Sequence, residues 1–422
     1  MSAPRIPRPK LRPLFLPALA LLLTLPLLAR PAVAAPGQPG ESVLTAASGR
    51  CGVCHPKDRV AFEKSPHASE ELHCTSCHGG DDKAADEKSA HSGNGWRGKI
   101  SRQELPALCA SCHSVPKLMQ PYDLPVDQYA LYQTSAHGRK LREGDMKVAI
   151  CTDCHGTHEI LGPADPMSRV YVTNIPRTCG HCHGDSTLVR ERGLKNVYRE
   201  YLSSVHAKQL FDAGNLGAPT CVSCHGVHGA APADIADVNK VCGRCHTPER
   251  RYFLSGPHAS GMSRANLGEC SSCHGAHAIE ASNTDRLASS CVSCHDKGGP
   301  EAKLGEDLLA GYHSAAHEIE EAAKWVEKAD AVPLATDDFK ARVEEARTYL
   351  REAMTAAHAV RPDVMASYTV RARSTGAEVS DEIEHEIRNI SVEKLALVVF
   401  WFYVIVTIGI LRRFRDRPRA GA

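Results

Sequence analysis

A five-residue motif, Cys-x-x-Cys-His (CxxCH), constrains this chain more than any other feature, because it occurs nine times in 422 residues. The nine copies use all 18 cysteines, so none is left over for a disulfide or a free nucleophile. The pattern therefore excludes a disulfide scaffold and a cysteine enzyme. The cysteines are Cys51, Cys54, Cys74, Cys77, Cys109, Cys112, Cys151, Cys154, Cys179, Cys182, Cys221, Cys224, Cys242, Cys245, Cys270, Cys273, Cys291 and Cys294.

CxxCH is the attachment signature of c-type haem: the two thiols form thioethers to the haem vinyl groups and hold the adjacent histidine beneath the iron. A redox CxxC would occur once beside a βαβ pattern, and zinc sites would pair their motifs, whereas nine is odd and every copy carries the histidine. We therefore expect nine covalently bound c-type haems. Their proximal ligands would be His55, His78, His113, His155, His183, His225, His246, His274 and His295.

Most of the other fourteen histidines follow the haem motifs in a regular way. Five lie five residues after a tyrosine or phenylalanine, His91 follows two small residues without the aromatic, and three lie three residues after a proximal histidine, in CHGxH. Nine candidates for nine haems predict nine distal ligands, with His313 as the rival of His317, one helical turn away. The predicted distal ligands are His67, His91, His137, His158, His206, His228, His258, His277 and His317.

The order of these motifs is a repeat. An aromatic-x4-His segment, then CxxCHGxH, then plain CxxCH occurs at 132–183, 201–246 and 253–295. The segment 62–113 is a degenerate copy, in which CHGG replaces CHGxH and His91 is expected to replace the missing histidine. The repeat leaves open which distal histidine serves which haem. The histidines outside the pattern are expected to be solvated or to support a ligand, and they are His73, His181, His358 and His385, with His313.

Both ends of the chain carry membrane signals. Residues 1–34 are typical of a secretory signal, with a basic start, an apolar run and an Ala-x-Ala cleavage site at 32–34. A second apolar run, 395–411, contains 17 uncharged residues and is followed by five arginines in 412–422. We expect one transmembrane helix there, with the basic tail in the cytoplasm and the preceding residues exported. A buried core helix is the alternative.

The net charge of +1 hides an acidic exported part. The two ends together hold ten of the 50 basic residues and one of the 49 acidic ones, which leaves 40 bases against 48 acids, a net of −8, in residues 35–411. This balance favours basic soluble partners and argues against nucleic-acid binding.

The composition changes after the ninth motif, where alanine and glutamate replace cysteine and glycine. The periodicity predicts helices over 305–331 and 336–360, and a third helix that begins at Ser380 and continues into the membrane. We expect a haem domain at 35–304, a helical stalk at 305–394 that holds it against the membrane, a transmembrane helix at 395–411 and a tail at 412–422. An independent helical bundle is the alternative to a stalk.

The nine attachment motifs and the CHGxH variant resemble the multihaem c-type cytochromes with doubled CxxCH motifs, over about residues 51–317. The resemblance implies a mainly α fold with extensive loops, wrapped around closely stacked haems. In such a fold the haems supply most of the buried apolar surface, in keeping with an aromatic content of only 5%.

Two histidines for each haem leave no open iron for a substrate, so the expected function is electron transfer and no catalytic residue is assigned. The expected place is the bacterial inner membrane, with the haems in the periplasm. The expected partners are a membrane quinol-oxidising or cytochrome b-type protein and soluble periplasmic cytochromes or reductases. The alternative is an enzyme, a multihaem reductase of nitrite, hydroxylamine or an oxidised sulfur compound, with one open haem.

Overall fold

The structure is a computed structural model that describes residues 49–229 and 237–415, all within one unit, Ala47–Ala422. The predicted secretory signal and the end of the basic tail, residues 416–422, lie outside the described residues. Within the described ranges the regular structure is helical, without a strand. The prediction of a mainly α fold is therefore confirmed.

Short helices joined by loops form the part of the chain that carries the CxxCH motifs. Three 3₁₀ turns lie among them, at Gln120–Tyr122, Val238–Arg244 and Cys291–Ser293. The helices are α1 (Cys51–Cys54), α2 (Pro56–Phe62), α3 (Pro66–Ser69), α4 (Cys74–His78), α5 (Glu87–Ala90), α6 (Leu105–His113), α7 (Pro116–Met119), α8 (Gln128–Thr134), α9 (Ala136–Arg142), α10 (Cys151–His155), α11 (Ile175–His183), α12 (Ser186–Glu191), α13 (Val197–Ser203), α14 (Val205–Phe211), α15 (Cys221–His225), α16 (Thr247–Ser255), α17 (Pro257–Arg264), α18 (Ser271–His274) and α19 (Arg286–Ser289).

Each CxxCH motif occupies a helical turn, α or 3₁₀. Residues i, i+3 and i+4 of a helix share one face, so both thiols and the following histidine are directed to the same side. In the CHGxH copies the glycine ends this turn with a positive φ, +87° at Gly156 and +78° at Gly226. A side chain would strain that conformation, which explains the glycine in the motif.

Three long helices form the C-terminal part: α20 (Pro300–Asp330), α21 (Asp337–Ala356) and α22 (Pro362–Arg415), with a 3₁₀ turn, Ala357–Ala359, between the last two. Their buried faces meet in one apolar core at helical spacing. The segment is thus a three-helix bundle. The residues of this core are Ala315, Ile319, Ala322, Val326, Ala329, Phe339, Val343, Ala346, Ala372, Val379 and Ile383.

The two helices predicted at 305–331 and 336–360 are present with slightly different ends, whereas the predicted start of the third helix was wrong. That helix begins at Pro362, where a proline at the first position and Asp363 in the first turn favour a helix N-terminus. Ser380 lies inside the helix, and its hydroxyl donates to the carbonyl of Gly376 at 3.1 Å instead of capping a terminus.

The end of α22 is long and apolar enough to cross a membrane. Its most apolar 18-residue window has a mean hydropathy of 2.3, and none of that window is buried. The predicted transmembrane run, 395–411, lies in this part of the helix. From Pro362 to Leu395 the helix is continuous, which corresponds to about 50 Å at 1.5 Å per residue.

Candidate functional site

Every CxxCH histidine faces the ring of one histidine from outside these motifs. The nine pairs have ring-centroid distances between 5.9 and 6.3 Å. With the CxxCH histidine first, the pairs are His55–His91, His78–His158, His113–His67, His155–His228, His183–His137, His225–His277, His246–His206, His274–His358 and His295–His258.

The separation in these pairs fits a single metal atom between two rings. Two metal–nitrogen bonds of about 2 Å, with roughly 1 Å from each nitrogen to its ring centre, add up to about 6 Å. A direct hydrogen bond, with about 3 Å between the nitrogens, would bring the centroids about 1 Å closer. The histidines of this chain therefore fit the axial ligands of a haem iron.

One cavity of about 4290 Å³ runs through this part of the molecule, and all eighteen paired histidines line it together with every motif cysteine except Cys182. Shared among nine sites, this volume is about 480 Å³ each, within the range of roughly 300–1,000 Å³ of cofactor sites. Both clusters of packed buried apolar side chains found among the described residues are centred on the bundle instead. The space that a core would fill is thus open beside the CxxCH motifs.

The attachment motifs, numbered 1 to 9 in chain order, follow one another in space as they do in sequence. The thiols of each motif interact with a thiol of the next, alternately through direct side-chain contact and through electrostatic proximity. These eight neighbour relations are Cys51–Cys74, Cys77–Cys112, Cys109–Cys151, Cys154–Cys179, Cys179–Cys221, Cys224–Cys242, Cys242–Cys270 and Cys273–Cys294. Motifs that are consecutive in sequence are therefore also neighbours in space.

The pairs obey a rule that the sequence left open. Each CHGxH histidine faces the proximal histidine two motifs earlier, as His228 of motif 6 faces His155 of motif 4. In each aromatic-x4-His segment that precedes an even-numbered motif, the histidine faces the CxxCH histidine of the next odd-numbered motif. His206, for example, precedes motif 6 and faces His246 of motif 7. The repeat thus interlocks. Each copy supplies one histidine that faces a CxxCH histidine of the same copy, and so closes that site, and another that closes a site in the preceding copy in the same way.

The local sequence explains how the aromatic-x4-His segments are positioned. The hydroxyl of the buried Ser204 accepts a hydrogen bond from the Ala207 amide at 3.1 Å and caps α14, whose second residue is His206. The phenol of Tyr201 donates to the carbonyl of Pro219 at 3.0 Å, two residues before motif 6. Segment 132–137 repeats both features. In these two segments the tyrosine therefore ties the histidine-bearing segment to the next CxxCH motif.

The degenerate copy has its own geometry. Gly79 and Gly80 both have positive φ, and a Cβ on either would lie within 2.5 Å of a backbone oxygen of the returning loop 90–95. This close approach lets His91 stack on Trp96, with centroids 4.5 Å apart, and face His55 of motif 1. His91 therefore lies opposite the first motif, and motif 2 is faced by His158.

The electrostatics of the paired rings suit metal binding, since the neutral imidazole is the ligating form. The Nδ1 of His158 lies 3.2 Å from the Asp58 carboxylate, and that of His358 lies 3.0 Å from the Thr355 carbonyl. Such a partner at Nδ1 orients the ring of a ligating histidine, which would bind a metal through Nε2. Desolvation lowers the pKa of the rings of His67, His113, His137, His155, His183, His206, His225, His228, His258 and His274.

The structure brings eight of the nine predicted distal histidines opposite a CxxCH histidine and leaves His317 elsewhere. His317 and His313 are exposed on α20, and neither lines the cavity. The ninth partner ring is His358, which the sequence pattern passed over because no aromatic precedes it by five residues and it is not in CHGxH. The available signal was its position just before Pro362, where a helix must break.

Comparisons of this chain with protein-family models, with curated proteins and with solved structures found no match.

Proposed function

We propose that this chain is a membrane-anchored electron-transfer protein that carries nine c-type haems, each attached at one CxxCH motif and held between the two rings of one histidine pair. The observation that carries the proposal is the pairing itself. Each of the nine CxxCH histidines has one partner ring at the separation that a metal atom requires, and all eighteen rings line one cavity.

The haem, when bound, supplies reversible one-electron chemistry at its iron. The chain's own residues decide what that chemistry is used for. The two imidazoles of each pair would hold the iron from both sides, and this exclusion of a substrate favours electron transfer over catalysis. The reductase alternative requires at least one CxxCH histidine without a partner ring, whereas every one of the nine has such a partner.

The proximity of consecutive motifs supports a relay. Neighbouring thiols link each motif to the next, from motif 1 to motif 9. Motif 9 lies against the bundle, since a Cβ on Gly305 of α20 would be 2.9 Å from the Cys291 sulfur. The last motif of this series is thus at the anchored bundle.

We further propose that the haem part faces the periplasm of a bacterial inner membrane. The arginines that follow the apolar end of α22 favour a cytoplasmic location for the tail. No histidine occurs in 395–411, so the span has no histidine ligand for a haem of its own. Electrons would then come from the quinol pool or from a membrane partner that oxidises quinol. The exposed Trp401 and Tyr403 in the middle of the span are suited to packing against the helices of such a partner.

The test is to count the haems and their spin states in the purified protein. Intact mass should exceed that of the polypeptide by nine haems, and low-temperature EPR of the oxidised protein should show low-spin bis-histidine signals only. Fewer than nine haems in a fully matured sample would contradict the attachment proposal. A stoichiometric high-spin signal would instead favour the reductase.

A further inference from the structure

We infer that the C-terminal bundle supplies an axial ligand, His358, to the haem at motif 8, so that the element that carries the membrane helix also closes a site of the relay. The inference rests on the proposed function, since it assumes that the pairs hold haems. In this inference His358, in the turn after α21, takes the ligand role that the sequence pattern gave to His317 on α20.

The repeat rule shows why motif 8 needs a ligand from outside the repeats. Each even-numbered motif is closed by the CHGxH histidine two motifs later, and His277 of motif 8 closes motif 6 in this way. The described chain has no motif 10, so the repeats leave His274 without a partner. The same rule gives His317 no CxxCH histidine to face, because no CxxCH motif follows His317 in the sequence.

The geometry of His358 matches that of the other partner rings. Its centroid lies 6.1 Å from that of His274, within the range of the remaining eight pairs, and the two planes are inclined by 26°. The contact between its Nδ1 and the carbonyl of Thr355 orients the ring and leaves Nε2 for a metal. The end of α21 and the turn after it line the cavity alongside His358.

The turn that carries His358 is held in an unusual conformation. Val360 has a φ of +50°, in the left-handed region that a β-branched residue avoids. Such a residue persists only where its surroundings impose the conformation. Here Ala357 and Ala359 are buried, and Ala357 packs with Leu308 and Met365 in a small core between the three helices.

The haem part is shaped to receive this turn. In three of the aromatic-x4-His segments a serine caps the N-terminus of the helix that carries the histidine, but the segment 253–258 has Gly256 at that position. A Cβ on Gly256 would lie 2.3 Å from the carbonyl oxygen of Ala359, so only glycine admits the turn. A hydrogen bond of 2.8 Å between the phenols of Tyr252 and Tyr368 joins α16 to α22 beside it.

Tyr312 explains why the sequence pattern at 312–317 misleads. In the repeats the aromatic residue lies in the last turn of one helix and a second helix carries the histidine, whereas α20 continues through this segment without a break. Tyr312 packs on the small core around Met365 and is used for the bundle. His317, five residues later on the same unbroken helix, remains exposed.

The experiment compares His358→Ala with His317→Ala in the full-length protein, with haem content and helicity measured for each. In His358→Ala we expect one haem in nine to become high-spin in EPR and to bind carbon monoxide when reduced. Added imidazole should restore its low-spin signal, which distinguishes a lost ligand from a disrupted fold. His317→Ala should keep the wild-type spectrum.

A second variant, His358→Met, keeps a ligand atom at this position. It should stay low-spin and raise the potential of one haem, since methionine ligation raises haem potentials. The inference is overturned if His358→Ala remains fully low-spin, if imidazole does not restore its signal, or if His317→Ala is the variant that opens a haem. Failure of the proposed function looks different, because the wild-type protein would then itself lack nine low-spin haems.

Discussion

Gly256 offers the sharpest structural test of how the bundle meets the haem part. Its backbone φ of −99° and ψ of 173° suit any residue, so Gly256→Ala adds a steric effect without backbone strain. The new Cβ would lie 2.3 Å from the Ala359 oxygen, and ordinary contact begins at 3.4 Å. The turn that carries His358 must therefore move by about 1.1 Å, which exceeds the tolerance of about 0.5 Å for a functional constellation.

Overpacking of this kind costs about 1–3 kcal/mol, or roughly 5- to 150-fold in the equilibrium between bound and released His358. We expect Gly256→Ala to show a high-spin fraction at one haem and faster binding of carbon monoxide to the reduced protein. The assay is low-temperature EPR together with carbon monoxide titration, at unchanged haem content.

The matched control is Gly311→Ala on α20, where a Cβ also meets open space and the residue does not line the cavity. It should leave every haem low-spin and stabilise the helix by about 0.5–1 kcal/mol, since glycine is a poor helix former. The reasoning fails if Gly256→Ala keeps the spectrum and carbon monoxide behaviour of the wild type, or if both alanine variants open a haem equally.

Three further predictions concern the repeat, the acid stability and the anchor. Tyr201→Phe removes a phenol that donates to a backbone carbonyl at 3.0 Å, and should lower the free energy of unfolding by about 1 kcal/mol. The measurement is a denaturant titration followed by haem absorbance, and the natural Phe253 of the next copy shows that the fold accepts phenylalanine at this position. The guanidinium of Arg192 lowers the pKa of Asp145 from 3.8 to about 2, so the stability difference between wild type and Asp145→Asn should be present at pH 7 and disappear as the pH falls from about 4 to 2. Cutting the chain just before Leu395 should abolish reduction of the haems by quinol in native membranes, measured as absorbance at the reduced α-band, and leave their reduction by dithionite unchanged. Equal reduction of cut and intact protein by quinol would contradict the role of the anchor.

Two short-range patterns in the sequence mark the histidines of the repeats that face a CxxCH histidine in the structure. Helical spacing places the cysteines and the proximal histidine on one face, and the serine cap before His206 fixes where the next helix presents its ring. The assignment of partners was out of reach, because His228 meets a histidine 73 positions earlier, a contact that depends on how successive copies stack. Periodicity gives the faces of helices but not the distances between copies.

The bundle was harder to predict for a different reason. The helical periodicity that predicted α21 lies on its buried face, at Phe339, Val343 and Ala346. The start of α22 was placed at Ser380 instead of Pro362, because the acidic residues after Ser380 gave a competing start signal. His358 lies in that break and carries no motif. Its role follows only from the cavity that it lines and from the ring that it faces.

The interlocking of the repeats has a structural consequence at both ends of the relay. Because each copy closes a site in the copy before it, a row of such copies always leaves one site open at its C-terminal end and adds one spare histidine at its N-terminal end. Repeat proteins commonly need atypical terminal elements for this kind of reason. Here the loop of the degenerate copy brings His91 to the extra motif 1, and the bundle brings His358 to motif 8. The two residues that depart most from the repeat pattern are therefore the ones that allow nine motifs to be matched by nine partner rings.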